Sequence, residues 1–191
     1  MTSLTKSQAG NQAKKAYIKG LTQYKEGNHS EAYLSFSEAI NNGIEDFDIL
    51  YYRGMCSIES GNFKNAAIDF EVLIRNFPDN AEYLFRRGYI RYKTHDFSGA
   101  ISDFLKISED YSDFSIRWHY LSVLFYLSGN YKEALNAIER SLNTFPTMAK
   151  IWFNAGVIMN AADLSDRAEL AFNTATRLDP RLSNKRREII D

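Results

Sequence analysis

Alanine recurs along this chain at a constant interval of 34 residues, and this spacing constrains the fold more than any other feature. The positions are Ala32, Ala66, Ala100, Ala134 and Ala168. Four residues after each alanine stands a large apolar residue, at Phe36, Phe70, Phe104, Ile138 and Phe172. Twelve residues before each alanine stands a small residue, at Gly20, Gly54, Gly88, Ser122 and Gly156. Three columns that keep one register without an insertion predict five tandem structural repeats.

The repeats occupy residues 13–46, 47–80, 81–114, 115–148 and 149–182. Each contains two segments of helical periodicity joined by a turn, which predicts a pair of helices. In Gly27-Asn28 and Gly61-Asn62 the glycine can take the left-handed conformation that ends a helix. The small columns let two helix backbones approach closely. An isolated helix pair could not bury its apolar faces, so neighbouring repeats must stack to form a core.

This pattern resembles the tetratricopeptide repeat family, in which a bulky residue, Leu-Gly, Tyr, Ala, Phe and Pro hold fixed places. The fifth repeat carries it as Trp152, Ala155-Gly156, Met159, Ala168, Phe172 and Pro180. The sequence departs from the family at the usual leucine column, which holds Lys19, Arg53 and Arg87. The resemblance implies an all-α, right-handed α-solenoid of five helix-turn-helix repeats. It also implies that the first helix of each repeat lines a concave face.

The two ends of the sequence lie outside the repeats. Residues 1–12 are rich in Ser, Thr, Gln and Asn, and we expect a flexible N-terminal tail. Residues 183–191 combine charged side chains with Ile189 and Ile190. They suit a short C-terminal capping helix over the apolar edge of the last repeat, with a frayed charged tail as the alternative.

The sequence offers no catalytic motif, metal site or cofactor site. The three histidines do not stand at helical spacing from another histidine or from the single cysteine, Cys56. Neither of the glycine-rich phosphate-binding motifs is present. We therefore predict a protein that is not an enzyme and needs no cofactor. The net charge of −1 argues against nucleic acid as the partner, because such binders usually carry a basic footprint.

No apolar run has the length of a signal peptide or of a membrane span, so we expect a soluble cytoplasmic protein without membrane insertion. One cysteine excludes an intrachain disulfide, which fits a reducing compartment.

The first helices carry an aromatic stripe, because columns separated by steps of 3 and 4 stay on one side of a helix. Tyrosine combines a large apolar body with a polar tip, which is typical of binding hot spots. We predict that the stripe forms a groove for a partner peptide or helix. Its residues are Tyr17, Tyr24, Tyr51, Tyr52, Phe85, Arg86, Tyr89, Tyr92, His119, Tyr120, Tyr126, Phe153 and Asn154. The alternative is that some of these rings only pack between repeats.

One subtype of the family can be tested directly from its motif. Repeat proteins that bind the C-terminal tails of the Hsp70 and Hsp90 chaperones use a clamp of Lys, Asn, Asn, Lys and Arg at five first-helix columns. Read from the first repeat, these columns hold Tyr17, Leu21, Tyr52, Glu82 and Arg86, and only Arg86 matches. Read from the third repeat, only Lys150 matches. The sequence therefore argues against this co-chaperone role.

Three functions stay open at this point. The first is a scaffold or adaptor that binds another protein in the aromatic groove. The second is a structural or assembly component that self-associates. The third, disfavoured by the charge, is nucleic-acid binding through Arg53, Arg86, Arg87 and Arg91.

Overall fold

The computed structural model describes residues 6–185 and 187–190, with side chains from Gly10 onward. This part of the chain forms ten α-helices and no strand. The helices are α1 (Lys6–Lys25), α2 (His29–Asn41), α3 (Phe47–Glu59), α4 (Phe63–Asn76), α5 (Ala81–Lys93), α6 (Phe97–Lys106), α7 (Arg117–Leu127), α8 (Tyr131–Thr144), α9 (Ala149–Ala161) and α10 (Ser165–Leu178). Two short 3₁₀ turns cover Ser112–Phe114 and Pro180–Leu182. Helix α1 begins at Lys6, inside the stretch 1–12 that we expected to be a flexible tail, and residues 1–5 lie outside the described residues.

The helices fall into two units, Met1–Asp96 and Phe97–Asp191, here called the N-terminal and C-terminal units. The division falls between the two helices of the third predicted repeat. Helices α1, α3 and α5 are therefore the first helices of the N-terminal unit, and α7 and α9 are those of the C-terminal unit. Within each unit, helices adjacent in sequence pack against one another.

Local signals account for the helix boundaries. The side chains of Asp46, Asn62 and Asn80 accept hydrogen bonds from backbone N–H groups in the first turns of α3, α4 and α5. Such side chains satisfy donors that the start of a helix leaves without a partner. The turns between paired helices need a residue with positive φ. Glycine supplies it in three repeats, while His95 (φ 65°) and Asp163 (φ 59°) supply it in the other two.

The small and large columns meet inside the first, second and fifth helix pairs. A methyl group added at Gly20 would lie 2.7 Å from two ring carbons of Phe36, and one added at Gly156 would meet the Phe172 ring at the same distance. Phenylalanine therefore fills the space that the missing side chain leaves. In the fourth repeat both members change together: Ser122 replaces the glycine and the smaller Ile138 replaces the phenylalanine, and both are buried.

The predicted C-terminal capping helix is wrong in its secondary structure. After α10 the chain makes the 3₁₀ turn Pro180–Leu182, and the described residues beyond it form turns, bends and irregular structure. Ile189 and Ile190 nevertheless pack against the apolar cluster of α8, α9 and α10, and Leu182 is buried in it. The apolar edge is covered without a helix, because these side chains reach the core from an irregular backbone.

Candidate partner-binding face

The predicted groove residues divide between the two units. Eight of them lie on α1, α3 and α5, and we call this set the aromatic face. Its members are Tyr17, Tyr24, Tyr51, Tyr52, Phe85, Arg86, Tyr89 and Tyr92, and every one of them is partly buried. A partly buried ring rests on the core with one side and presents the other to solvent. These side chains therefore pack against the core, as the alternative from the sequence holds, and also keep part of their surface exposed.

Ring contacts connect the aromatic face to the buried core. Tyr52 stacks on the fully buried Phe36, with ring centroids 5.9 Å apart. Tyr24 and Tyr51 meet Tyr52 edge to face, at centroid distances of 5.3 Å and 5.6 Å. Tyr51 also contacts the buried Phe70 at 6.1 Å. Edge-to-face and offset pairs of this kind stabilise each ring in one orientation. Tyr24, Tyr51 and Tyr52 thus form one packed group that rests on the core.

A polar network lies where α3 meets α5. The Tyr51 hydroxyl donates to Glu82 Oε1 at 2.9 Å, and Arg86 Nε donates to the same oxygen at 2.7 Å. Burial raises the pKa of Tyr51 to about 12, and the hydrogen bond to the Glu82 carboxylate adds to the shift. Burial alone would lower the pKa of Arg86, but the hydrogen bond to Glu82 reverses this and its pKa is raised. Both pKa values move further from neutrality, so the network does not change the ordinary protonation state of either side chain at neutral pH.

Three further arginines of the N-terminal unit are paired with carboxylates. Arg53 binds both oxygens of Asp69, and Arg87 and Arg91 each donate to Glu71. The side chain of Asp69 is only 2% exposed, and that of Arg53 is 19% exposed. Arg53 stands out in the sequence because it occupies the leucine column, but its partner was not predicted. The available signal was an aspartate sixteen residues later in the same repeat, where the fourth and fifth repeats hold alanine.

In the C-terminal unit the predicted groove residues are more deeply placed. His119, Phe153 and Asn154 are buried, so they do not belong to a surface that a partner could contact in this arrangement. Tyr120 is partly buried and stacks on the fully buried Phe104 at 5.6 Å. Tyr126 is also partly buried and lies 6.0 Å from Tyr131.

The residue that covers Asn154 was not predicted from the sequence either. Its side-chain amide makes two hydrogen bonds to the backbone of Ile190, at 2.8 Å and 2.9 Å. The two residues are 36 positions apart, and residues 187–190 lie outside the repeats, so no periodic signal pointed to this contact.

Other chemistry has little support in the described residues. Among them, no three His, Cys, Asp or Glu side chains come together as a metal site requires. Burial raises the pKa of the Cys56 thiol to about 12, so this cysteine is a poor nucleophile. Over the same residues, none of the helices combines the length and the apolar character needed to cross a bilayer.

Solved structures with this fold include MamA from Desulfovibrio magneticus RS-1, which is 16% identical with a TM-score of 0.81 over 93% of this chain and 99% of its own. A second MamA structure is 14% identical, with a TM-score of 0.79 over 95% and 100%. A third, MamA MSR-1, is 20% identical, with a TM-score of 0.76 over 88% and 97%. Identities this low establish the fold alone, and they confirm the predicted all-α solenoid class. Curated proteins give no match to the sequence.

A comparison of the sequence with models of protein families agrees with the fold. The tetratricopeptide repeat model matches residues 17–81, 58–111 and 123–182. These ranges include most of the five predicted repeats and well over half of the chain. The chain therefore belongs to the tetratricopeptide repeat family.

Proposed function

We propose that this protein is an interaction scaffold whose aromatic face binds a segment of a partner protein. Tetratricopeptide repeats generally serve as non-enzymatic modules that bind proteins. The observation that carries the proposal is the state of the face itself: eight side chains on three successive first helices are all partly buried, and none is withdrawn into the core. Rigid, partly exposed tyrosines offer contact area at a small cost in conformational entropy.

The polar network suits a protein ligand. Tyr51, Glu82 and Arg86 place a hydroxyl, a carboxylate and a guanidinium beside the rings. A partner segment that buries its apolar side chains on the rings could still satisfy its backbone groups on this network.

The pairing of the arginines disfavours nucleic acid as the ligand. Binding to a phosphate backbone depends on cations that release condensed counterions. Arg53, Arg86, Arg87 and Arg91 each donate a hydrogen bond to a carboxylate within the N-terminal unit. A phosphate would have to compete with these carboxylates for the guanidinium groups.

A pair of exposed apolar residues in the first predicted repeat gives a sharp test. Ile18 on α1 is 63% exposed and holds the column that Tyr52 and Arg86 hold in α3 and α5. Leu34 on α2 is 67% exposed and lies outside the aromatic face. Neither side chain contributes much to the core, so neither Ile18→Asp nor Leu34→Asp should lower the melting temperature appreciably.

The wild type and both variants would be used as bait in affinity capture with mass spectrometry, followed by titration of the captured partner. We expect Ile18→Asp to weaken binding and Leu34→Asp to leave it unchanged. If both variants bind as the wild type does, or if only Leu34→Asp weakens binding, the aromatic face is not the binding surface. Light scattering over a concentration series tests the self-association alternative, in which the captured partner is a second copy of this chain.

A further inference from the structure

Asn154 on α9 has an unusual environment for a residue on the stripe. Its side chain is fully buried, and both of its polar atoms bind one residue of a distant segment. Nδ2 donates to the carbonyl oxygen of Ile190 at 2.8 Å, and Oδ1 accepts from the backbone N–H of Ile190 at 2.9 Å. The amide of Asn154 therefore pairs with a backbone as a neighbouring β-strand would.

This pairing selects a backbone conformation. The N–H and C=O groups of one residue point to the same side when the chain is extended, as in the hydrogen-bonded pairs of an antiparallel sheet. In a helix the two groups point in opposite directions along the axis. A side-chain amide that binds both groups of one residue thus recognises extended peptide. It does so without reading the side chain of that residue.

Side chains of the same segment add apolar and charged contacts. Ile189 and Ile190 pack, partly buried, against the cluster formed by α8, α9 and α10. The Arg187 guanidinium lies 4.5 Å from the centroid of the Phe172 ring and binds both oxygens of Glu169 at 3.0 Å. The site therefore combines the Asn154 amide, which binds a peptide backbone, with an apolar surface and with the Glu169 carboxylate, which binds a cation.

A cavity continues the site along α10. Its volume is about 250 Å³, and its lining includes Phe153, Phe172, Leu182, Lys185 and Arg187. Leu182, Ser183, Lys185 and Arg187 line one wall, and residues of α9 and α10 line the other, so this wall does not pack tightly on the helices.

We propose that the face of α9 around Asn154 is a binding site for an extended peptide, and that residues 187–190 occupy it as an internal competitor. The ligand class is a segment with two adjacent branched apolar residues and a cation two positions before the first of them, as Arg187 stands before Ile189. This inference rests on the proposed protein-binding function but assigns a separate site, in the C-terminal unit. A partner peptide of this class binds by displacing residues 187–190.

The way the segment is attached supports displacement. The Arg187–Glu169 pair is more than half exposed on both sides, at 57% and 56%, and exposed ion pairs contribute little to stability. Beside this pair, the segment is held by the two hydrogen bonds between Asn154 and the Ile190 backbone, by the partly buried side chains of Ile189 and Ile190, and by the contact of Arg187 with the Phe172 ring. Local opening of such a segment needs far less free energy than unfolding of the unit.

The test uses the full chain and a fluorescent peptide with the sequence of residues 185–191, followed by fluorescence anisotropy. Ile190→Pro removes the N–H that donates to Asn154, and Ile190→Ala is the matched control that keeps it. If the segment occupies the site about nine-tenths of the time, its release raises the apparent affinity about tenfold. We expect this gain for Ile190→Pro and a smaller one for Ile190→Ala.

A second variant and a modified peptide test whether the peptide binds at Asn154. Asn154→Leu in the Ile190→Pro background should abolish the gain. The equivalent positions of the other repeats hold Ile18, Tyr52, Arg86 and Tyr120, so this column does not require an amide. A peptide N-methylated at the isoleucine that matches Ile190 should bind about tenfold more weakly, because it lacks the donor. The fluorescence of Trp118 and Trp152, both in the C-terminal unit, checks that each variant is folded.

An unchanged affinity in Ile190→Pro would overturn the inference, because the segment would not compete for the site. So would a gain that survives Asn154→Leu, because the peptide would then bind elsewhere. Neither result touches the aromatic face of the N-terminal unit, whose function is tested separately by Ile18→Asp and Leu34→Asp.

Discussion

The close approach of paired helices can be tested at Gly20, which faces Phe36 inside the first pair. A methyl group at this position would lie 2.7 Å from two carbons of the Phe36 ring and 3.1 Å from a third. The ring is fully buried and cannot swing into solvent. Tyr17 and Tyr52 hold it at centroid distances of 6.0 Å and 5.9 Å. Gly20→Ala therefore overpacks a site that has no free volume.

The expected magnitude follows from two opposed effects. Replacing a helical glycine by alanine stabilises the helix by about 1 kcal/mol. Overpacking a core costs about 1–3 kcal/mol, and two contacts far inside normal separation favour the upper end of this range. We expect the free energy of unfolding to fall by about 2 kcal/mol, which lowers the melting temperature by about 4–8 °C in a chain of this size.

Gly10 provides a matched control in the same helix. It also lies in α1, and nothing stands within 4 Å of the position that its side chain would take. Gly10→Ala should therefore be neutral or stabilising by up to about 1 kcal/mol. Both variants would be compared with the wild type by urea and thermal unfolding, monitored by far-ultraviolet circular dichroism. A Gly20→Ala variant as stable as Gly10→Ala would refute the close-packing argument.

The fourth repeat indicates how to relieve the overlap, because it combines Ser122 with Ile138. Phe36→Ile alone should destabilise the protein by about 1–2 kcal/mol through a cavity. Combined with Gly20→Ala it should cost less than the sum of the two single changes, by about 1–2 kcal/mol. Simple additivity would show that the added methyl group does not meet the ring.

Three further predictions concern buried groups in the N-terminal unit. Asp69→Ala leaves the charge of Arg53 without its carboxylate and should lower the free energy of unfolding by about 2–3 kcal/mol. The double variant Arg53→Leu, Asp69→Ala copies the pair of residues in the fourth repeat. In urea unfolding it should recover most of the stability that Asp69→Ala loses. The pKa of Tyr51 is raised to about 12, so the folded state holds the hydroxyl proton more tightly than the unfolded state does. The stability that results is complete below pH 10 and is lost as the pH rises from 10 to 12. Urea unfolding across this range should show a smaller loss for Tyr51→Phe, and an equal loss would contradict the assignment. The Cys56 thiol, buried and with its pKa raised to about 12, should react with a disulfide reagent only after unfolding, and fast labelling of the native protein would contradict its burial.

The aromatic face and the Asn154 site differ in a way that bears on function. On the aromatic face the residues are partly exposed, so a partner needs no displacement step. At Asn154 the site is covered by residues 187–190, so binding there is limited by the fraction of time that the segment is released. The two units thus offer one open surface and one gated surface in the same chain.

The sequence by itself determined the helix pairs and the columns of small and large residues at which paired helices meet. Gly20 with Phe36 and Gly156 with Phe172 recur at a fixed spacing because the contact between paired helices is made within one repeat, by residues sixteen apart. The same regularity predicted which residues share the first-helix stripe. It also contained the Arg53–Asp69 pair, which a search for opposite charges at that spacing would have found.

The tertiary structure decided how deeply each stripe residue is buried and what covers it. Tyr52 and Asn154 hold equivalent columns, yet Tyr52 stays partly exposed while Asn154 is fully buried. The difference comes from residues 187–190, which are not part of any repeat and reach α9 from 36 positions away. The column of a residue in the repeat predicts the helix face on which the residue lies, because the face depends on helix geometry alone. Its exposure depends on whatever distant segment packs there, and periodicity carries no information about that.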